Sequence, residues 1–212
     1  MGLFLFINSQ VNKLTIVFII FILLSHFTIN AQTKNIGECA IHYSIIQLNS
    51  KDTIGEKWVY VKGDQCKTIL QHPQMRQTLL FNTQLPTAII TKDIGASHFL
   101  QEVAYPPLGL STLISLKEFV KDSTIQIVGY NCKNFELKWS DGTVYQIWYT
   151  TDIITTVNAF ETAFKEIDGL VLGYNIISLT GEVVQFMATS IDFSPIPLSL
   201  FNINKTQYQI ID

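Results

Sequence analysis

The chain has 212 residues, with 14 Lys and Arg against 17 Asp and Glu and a formal net charge of −3. It is 48% hydrophobic and only 15% charged, with no basic cluster, which excludes nucleic acid and anionic membrane surfaces as electrostatic partners. No internal repeat, low-complexity tract or inter-domain linker interrupts it, so one domain with a sizeable core is expected over residues 32–212.

Residues 1–31 read as a secretory signal peptide. Lys13 precedes the apolar run Leu14 to Leu24, and Ile29-Asn30-Ala31 offers a small-residue cleavage pattern. The run is 11 residues long, short of the ~20 that a spanning helix needs. Lys13 is the only charged residue of this leader, so cleavage leaves 13 basic against 17 acidic residues, a net charge of −4. The residue directly after the cleavage point is Gln32 and not a Cys, so a lipid at the expected mature N-terminus has no acceptor. The expected location is the periplasm or the periphery of an outer membrane.

Cys39 to Leu48 alternates Cys39, Ile41, Tyr43 and Ile45 on one face and reads as the first strand. Asn49 to Gly55 supplies turn chemistry. Glu56 to Lys62 then carries Trp58 and Tyr60 on one face and Val59 and Val61 on the other, which predicts cover on both. Gly63-Asp64 turns the chain into Cys66 to Gln71. Further short runs at Thr78 to Phe81, Ala88 to Thr91 and His98 to Ala104 are punctuated by Pro73, Pro86 and Gly95, the spacing of an antiparallel meander, sandwich or barrel.

Tyr105 to Gly109 (YPPLG) predicts a surface loop, because consecutive prolines cannot sit in a central ladder. Leu113, Leu116, Phe119 and Val120 recur at helical spacing and predict a short helix. Ile125 to Leu172 is the centre of the chain, and its Asp141-Gly142 suits a two-residue type I′ hairpin turn. That turn would place Trp139 opposite Val144, Leu137 opposite Gln146 and Phe135 opposite Trp148, an apolar face that a one-residue slip would exchange. Asn158 with Glu161 makes a capping box, and Phe160, Phe164, Ile167 and Gly169 extend it into a second predicted helix. Leu170 to Leu179 and Glu182 to Asp192 resume strand character around Thr180-Gly181. Pro195 and Pro197 end the sheet, with Phe201, Tyr208 and Ile210 expected to tuck against the core.

Three stretches together carry a resemblance: Gly129-Tyr130-Asn131-Cys132-Lys133, Trp148-Tyr149-Thr150-Thr151-Asp152-Ile153 and Asp168-Gly169-Leu170-Val171-Leu172. Their order resembles the exported GLPGLI-type proteins of the Bacteroidetes group, over roughly Ile125 to Phe201. Phe135 stands where that pattern has a small residue, and Ile167-Asp168-Gly169 replaces its Leu-Pro-Gly. The resemblance implies a mainly β fold like that of LolA-type lipoprotein carriers. Such a fold is a curved antiparallel sheet, or incomplete β-barrel, with one or two short helices on its concave face.

The residues themselves name no reaction. His42, His72 and His98 lack paired metal-ligand spacing, and a surface or satisfied polar role is expected for each. There is no HExxH, GxSxG, P-loop or GxGxxG, so no catalytic residue, metal or cofactor is predicted. Cys39, Cys66 and Cys132 lack CxxC spacing; in an oxidising compartment they allow one disulfide among three pairings, or three buried thiols. The aromatic residues are numerous enough to fill a core, yet a curved sheet can leave its concave face hollow.

Two functional expectations follow. The first is non-catalytic binding of a lipid or lipoprotein acyl chain, with Trp58, Phe135, Leu137, Trp139 and Trp148 as its lining. The second is an interaction module that docks an outer-membrane protein partner through a sheet edge or the apolar tail from Ile196 to Ile203.

Overall fold

Cys39, Ile41, Tyr43 and Ile45 are all buried while the residues between them are not, so period-2 alternation sets the first long strand as expected. The computed structural model describes residues 33–105, 113–118, 124–140, 142–157, 160–164, 167–177 and 181–211, and for 113–118 the backbone alone. The leader, the prolines of YPPLG, and Asp141, Asn158 and Thr180 lie outside the described residues.

The strands are β1 (Lys34–Ile36), β2 (Glu38–Gln47), β3 (Asp52–Lys62), β4 (Gln65–His72), β5 (Met75–Asn82), β6 (Thr87–Ile94), β7 (Ser97–Ala104) and β8 (Leu113–Glu118). They continue with β9 (Ile125–Ile127), β10 (Tyr130–Trp139), β11 (Val144–Thr150), β12 (Ile153–Thr155), β13 (Leu170–Ile177), β14 (Val183–Asp192) and β15 (Gln209–Ile210). Short 3-10 turns occupy Thr162–Phe164, Leu198–Phe201 and Lys205–Gln207. The protein is mainly β, and most of it is one open sheet in the order β15-β7-β6-β5-β4-β3-β2-β14-β13-β11-β10-β8, with β9 also on β10. A separate parallel pair joins β1 to β12.

Register explains why one face is greasy. Cys39, Val61, Cys66, Phe81 and Ala88 stand directly opposite one another across five consecutive strands, and all five are buried. This is the inner face. The connection from β11 to β13 lies against it, because Ile153, Val157, Phe160, Ala163, Phe164 and Ile167 all belong to the same buried cluster. Phe160 packs 6.1 Å from Tyr43 and 5.3 Å from Phe164, and Phe164 packs 5.0 Å from Tyr174.

The outer face has its own small core. Ile69, Thr78, Thr91 and Leu100 form a buried row across β4 to β7, and the C-terminal segment crosses near it with Ile196 and Phe201 buried. Lys67 Nζ ties that segment down by donating to the Leu200 carbonyl at 2.7 Å. Of the expected tail contacts, Phe201 is buried and Tyr208 half-buried, but Ile210 is 66% exposed on β15.

Three expectations are corrected. The predicted helix from Leu113 is strand β8 over Leu113–Glu118, paired with Phe135 to Trp139. A short apolar run does not discriminate helix from strand by spacing, and the open side of β10 recruits it. Among the described residues the second predicted helix is a single 3-10 turn at Thr162–Phe164, although Phe160, Phe164 and Ile167 are buried as its spacing implied. The hairpin is one residue out of the expected register. Trp139 N–H donates to Thr143 and Gly142 N–H to Trp139, closing a three-residue loop in which Gly142 adopts a φ of 85°. Leu137 therefore faces Tyr145, Phe135 faces Ile147, and Trp148 falls opposite Asn134.

Because Phe160 and Phe164 are held by rings from several strands, truncating either to Ala is expected to cost about 3–5 kcal/mol in urea unfolding. Ile210→Ala at the exposed edge should stay within about 0.5 kcal/mol of the parent.

Candidate functional site

The five residues expected to line a single cavity lie on two faces. Leu137 is fully buried in the inner core, and Phe135 is half-buried with its ring 5.1 Å from Tyr149. Trp139 is half-buried too, and its indole Nε1 is buried without a hydrogen-bond partner among the described residues. Trp148 lies over Gly173, where an added Cβ would stand 3.2 Å from the indole and 3.0 Å from Met187 Sδ. Trp58 is on the outer face, stacked on His42 at 4.0 Å and parallel to Tyr60 at 6.0 Å.

Lys57 projects from β3 into the inner face and is only 3% exposed. Its ammonium is paired with Glu161 of the β11–β13 connection and donates to Tyr174 Oη at 3.1 Å. The rings of Phe160, Tyr174 and Phe186 surround it at 5.3, 5.5 and 5.8 Å. A buried cation needs an anion and further hydrogen bonds to offset desolvation, and each of these is present. Tyr43, its ring 6.2 Å from that of Tyr174, donates its own hydroxyl to the Val171 carbonyl at 2.7 Å. Burial holds the phenols of Tyr43 and Tyr174 well above their ordinary range, so both remain donors. The connection therefore packs against the inner face of the sheet.

All three cysteines are free and buried. Cys39 and Cys66 face Val61 from opposite sides. They are thus two strand spacings apart, about 9–10 Å, beyond the ~7 Å limit for a bridge. Cys132 pairs with Ile125 on the far side of the sheet order and donates to the Tyr130 carbonyl at 3.6 Å. Burial pushes Cys39 up to about 12 and Cys132 up to about 11, and raises Cys66 as well. These are core thiols without nucleophilic character.

The histidines are satisfied polar residues. His98 Nδ1 lies 2.9 Å from Asp93, and His72 Nδ1 accepts from the Gln74 amide at 3.4 Å. His42 is held on both sides: Nε2 lies 2.9 Å from Glu56 Oε2 and Nδ1 3.0 Å from Thr189 Oγ1. Thr189 is the extra residue of a bulge, since Ala188 pairs with Tyr43 and Ser190 with His42. Sequence reading missed this cluster. Alternation puts His42 opposite the buried face, but Glu56 and Thr189 reach it only through the strand register and the bulge.

Beside this cluster, an open cleft of about 470 Å³ is lined by His42, Ser44, Ile54, Glu56, Gln71 and His72, among others. A second cleft of about 280 Å³ runs under Phe201, between Gln65, Leu80, Ile89 and Glu102. Among the described residues no group of three or more His, Cys, Asp or Glu side chains could hold a metal ion. No helix there is long and apolar enough to cross a membrane.

No family model matches the chain. No curated protein matches its sequence. Among solved structures, that of PNGF-II is similar with a TM-score of 0.50 at 14% identity, over 82% of this chain and 31% of the PNGF-II chain. The likeness is one of fold, and this chain spans about a third of the length of that neighbour.

A thiol reagent at about pH 8 is expected to find no reactive cysteine in the folded protein and all three in urea. Stability should hold up to pH 9.0, the ordinary thiol value, and fall as pH rises toward about 12. In that window the unfolded chain releases thiol protons that the buried groups retain. Urea unfolding across the range measures it, and constant stability through this window would contradict the buried-thiol account.

Proposed function

We propose that this chain is a non-catalytic interaction module of an exported protein, which takes up an extended segment of an outer-membrane protein partner along the free edge of its sheet. The observation that carries this reading is β8. It ends the sheet order, and among the described residues no strand pairs with its far side. An edge strand presents unpaired N–H and C=O groups along its length, a template for another strand. The opposite end is blunted, because β15 has two residues and the chain is fixed there by the Ile211 N–H donating to Leu100. The similar portion of PNGF-II occurs within a longer chain, which is in keeping with a modular role.

Carriage of a lipid or acyl chain, with a LolA-like fold, is the other reading. It draws less support, because Phe160 and Phe164 occupy the inner face and two of the five lining candidates, Trp58 and Leu137, lie on opposite faces. Export rests on the leader, and a location in the periplasm or at the outer-membrane periphery rests on export.

Adjacent residues of a strand send their N–H groups to opposite sides. Of Ser115→Pro and Leu116→Pro, one therefore loses an N–H directed at β10 and the other an N–H directed at the free edge. The edge-directed variant is expected to keep its melting temperature within a few degrees and to lose a polypeptide adduct that a photocrosslinker at residue 118 gives in the parent. Stoichiometric lipid in the purified protein, with no polypeptide adduct, would instead support the carrier.

A further inference from the structure

We propose that the outer-face cleft beside His42 is a binding site for a neutral polyhydroxylated ligand, a saccharide of one or two rings. At about 470 Å³ it falls within the ~300–1,000 Å³ typical of small-molecule sites. Its floor is a register row, Ser44 on β2 opposite Glu56 on β3 opposite Gln71 on β4. A hydroxyl, a carboxylate and an amide thus stand about 4.8 Å apart on one face.

The hydrogen bonds already made define what remains for a ligand. His42 holds Glu56 Oε2 at 2.9 Å, so Oε1 is directed elsewhere. Gln71 Nε2 donates to the His72 carbonyl at 3.2 Å, which leaves its Oε1 as an acceptor. His72 Nδ1 accepts from Gln74, which makes its Nε2 a donor. With the hydroxyl of Ser44, the cleft interleaves donors and acceptors. Hydroxyl groups match such a set because each both donates and accepts. A phosphate or carboxylate would meet the Glu56 carboxylate, and a cation would compete with His42 for it. Ile54 offers an apolar wall for a C–H face.

The carboxylate is positioned before any ligand arrives. His42 is clamped between Glu56 and Thr189 and backed by the Trp58 ring at 4.0 Å and 16°. A pre-oriented acceptor loses little side-chain freedom on binding, which favours a built site over an incidental surface hollow. The floor is equally constrained: a Cβ at Gly55 would overlap the Gln71 carbonyl oxygen, so β3 and β4 approach there as only glycine permits.

The test is amide NMR titration of the folded domain with maltose, cellobiose and chitobiose, with inorganic phosphate and spermidine as charged probes. At least one neutral disaccharide is expected to shift Ser44, Gly55, Gln71 and His72 with a dissociation constant of about 1 mM or below. Glu56→Gln should weaken binding about tenfold at unchanged melting temperature, and Gln71→Ala should do likewise. The proposal is overturned if no disaccharide shifts these residues at about 50 mM, a concentration well above millimolar affinity. It is equally overturned if a charged probe shifts them instead, or if both variants bind as the parent does. Since β8 is remote in the sheet order, loss of saccharide binding and loss of the edge adduct are separate results.

Discussion

The pairing of Lys57 with Glu161 is the constraint around which the inner face is arranged. Lys57 sits in the first long hairpin, Glu161 in the connection that leaves β11 and returns to β13, and the two are brought together on the surface of the sheet. Glu161 is 41% exposed, so solvent screens part of the attraction, whereas the lysine is nearly fully enclosed. The asymmetry matters. An enclosed ammonium without its carboxylate would carry an uncompensated charge, and the aromatic rings around it supply only part of the compensation.

Once that connection is held, much else follows from packing. Phe160 and Phe164 fill the space between β2, β11 and β13, and the Tyr43–Val171 hydrogen bond joins the hairpin to the returning strand. The β11–β13 connection thereby covers part of the inner face of the sheet. The two surfaces proposed for partners, the edge at β8 and the cleft at His42, lie on different strands.

Much of the strand architecture was legible in the residues, because period-2 alternation survives any uncertainty about what packs on top. Cys39 to Ile45 is assigned to the right face on that ground alone, and Trp58 and Tyr60 are separated from Val59 and Val61, although Trp58 lies on the outer face and not beside Leu137 as expected. Three things were not legible. Leu113 to Glu118 has apolar spacing that serves a helix as well as a strand, and only the vacant side of β10 decides between them. The hairpin register depends on whether Gly142 closes a two- or three-residue loop, a difference of backbone angle that Asp-Gly does not specify. The His42 cluster depends on the β2–β3 register and on the bulge beside Ala188, which carries no composition signal. The apolar residues Phe160, Phe164 and Ile167 were legible from their spacing, but among the described residues they flank a single 3-10 turn on the inner face of the sheet.

The most direct measurement of the account is a double-mutant cycle on Lys57→Met and Glu161→Gln, followed by urea unfolding and by hydrogen exchange in the β11–β13 connection. The account predicts a coupling of about 1–2 kcal/mol and faster exchange around Ala163 and Phe164 in the Glu161→Gln single variant, largely recovered in the double variant. A coupling within about 0.3 kcal/mol of zero, with exchange in that segment unchanged, would contradict it.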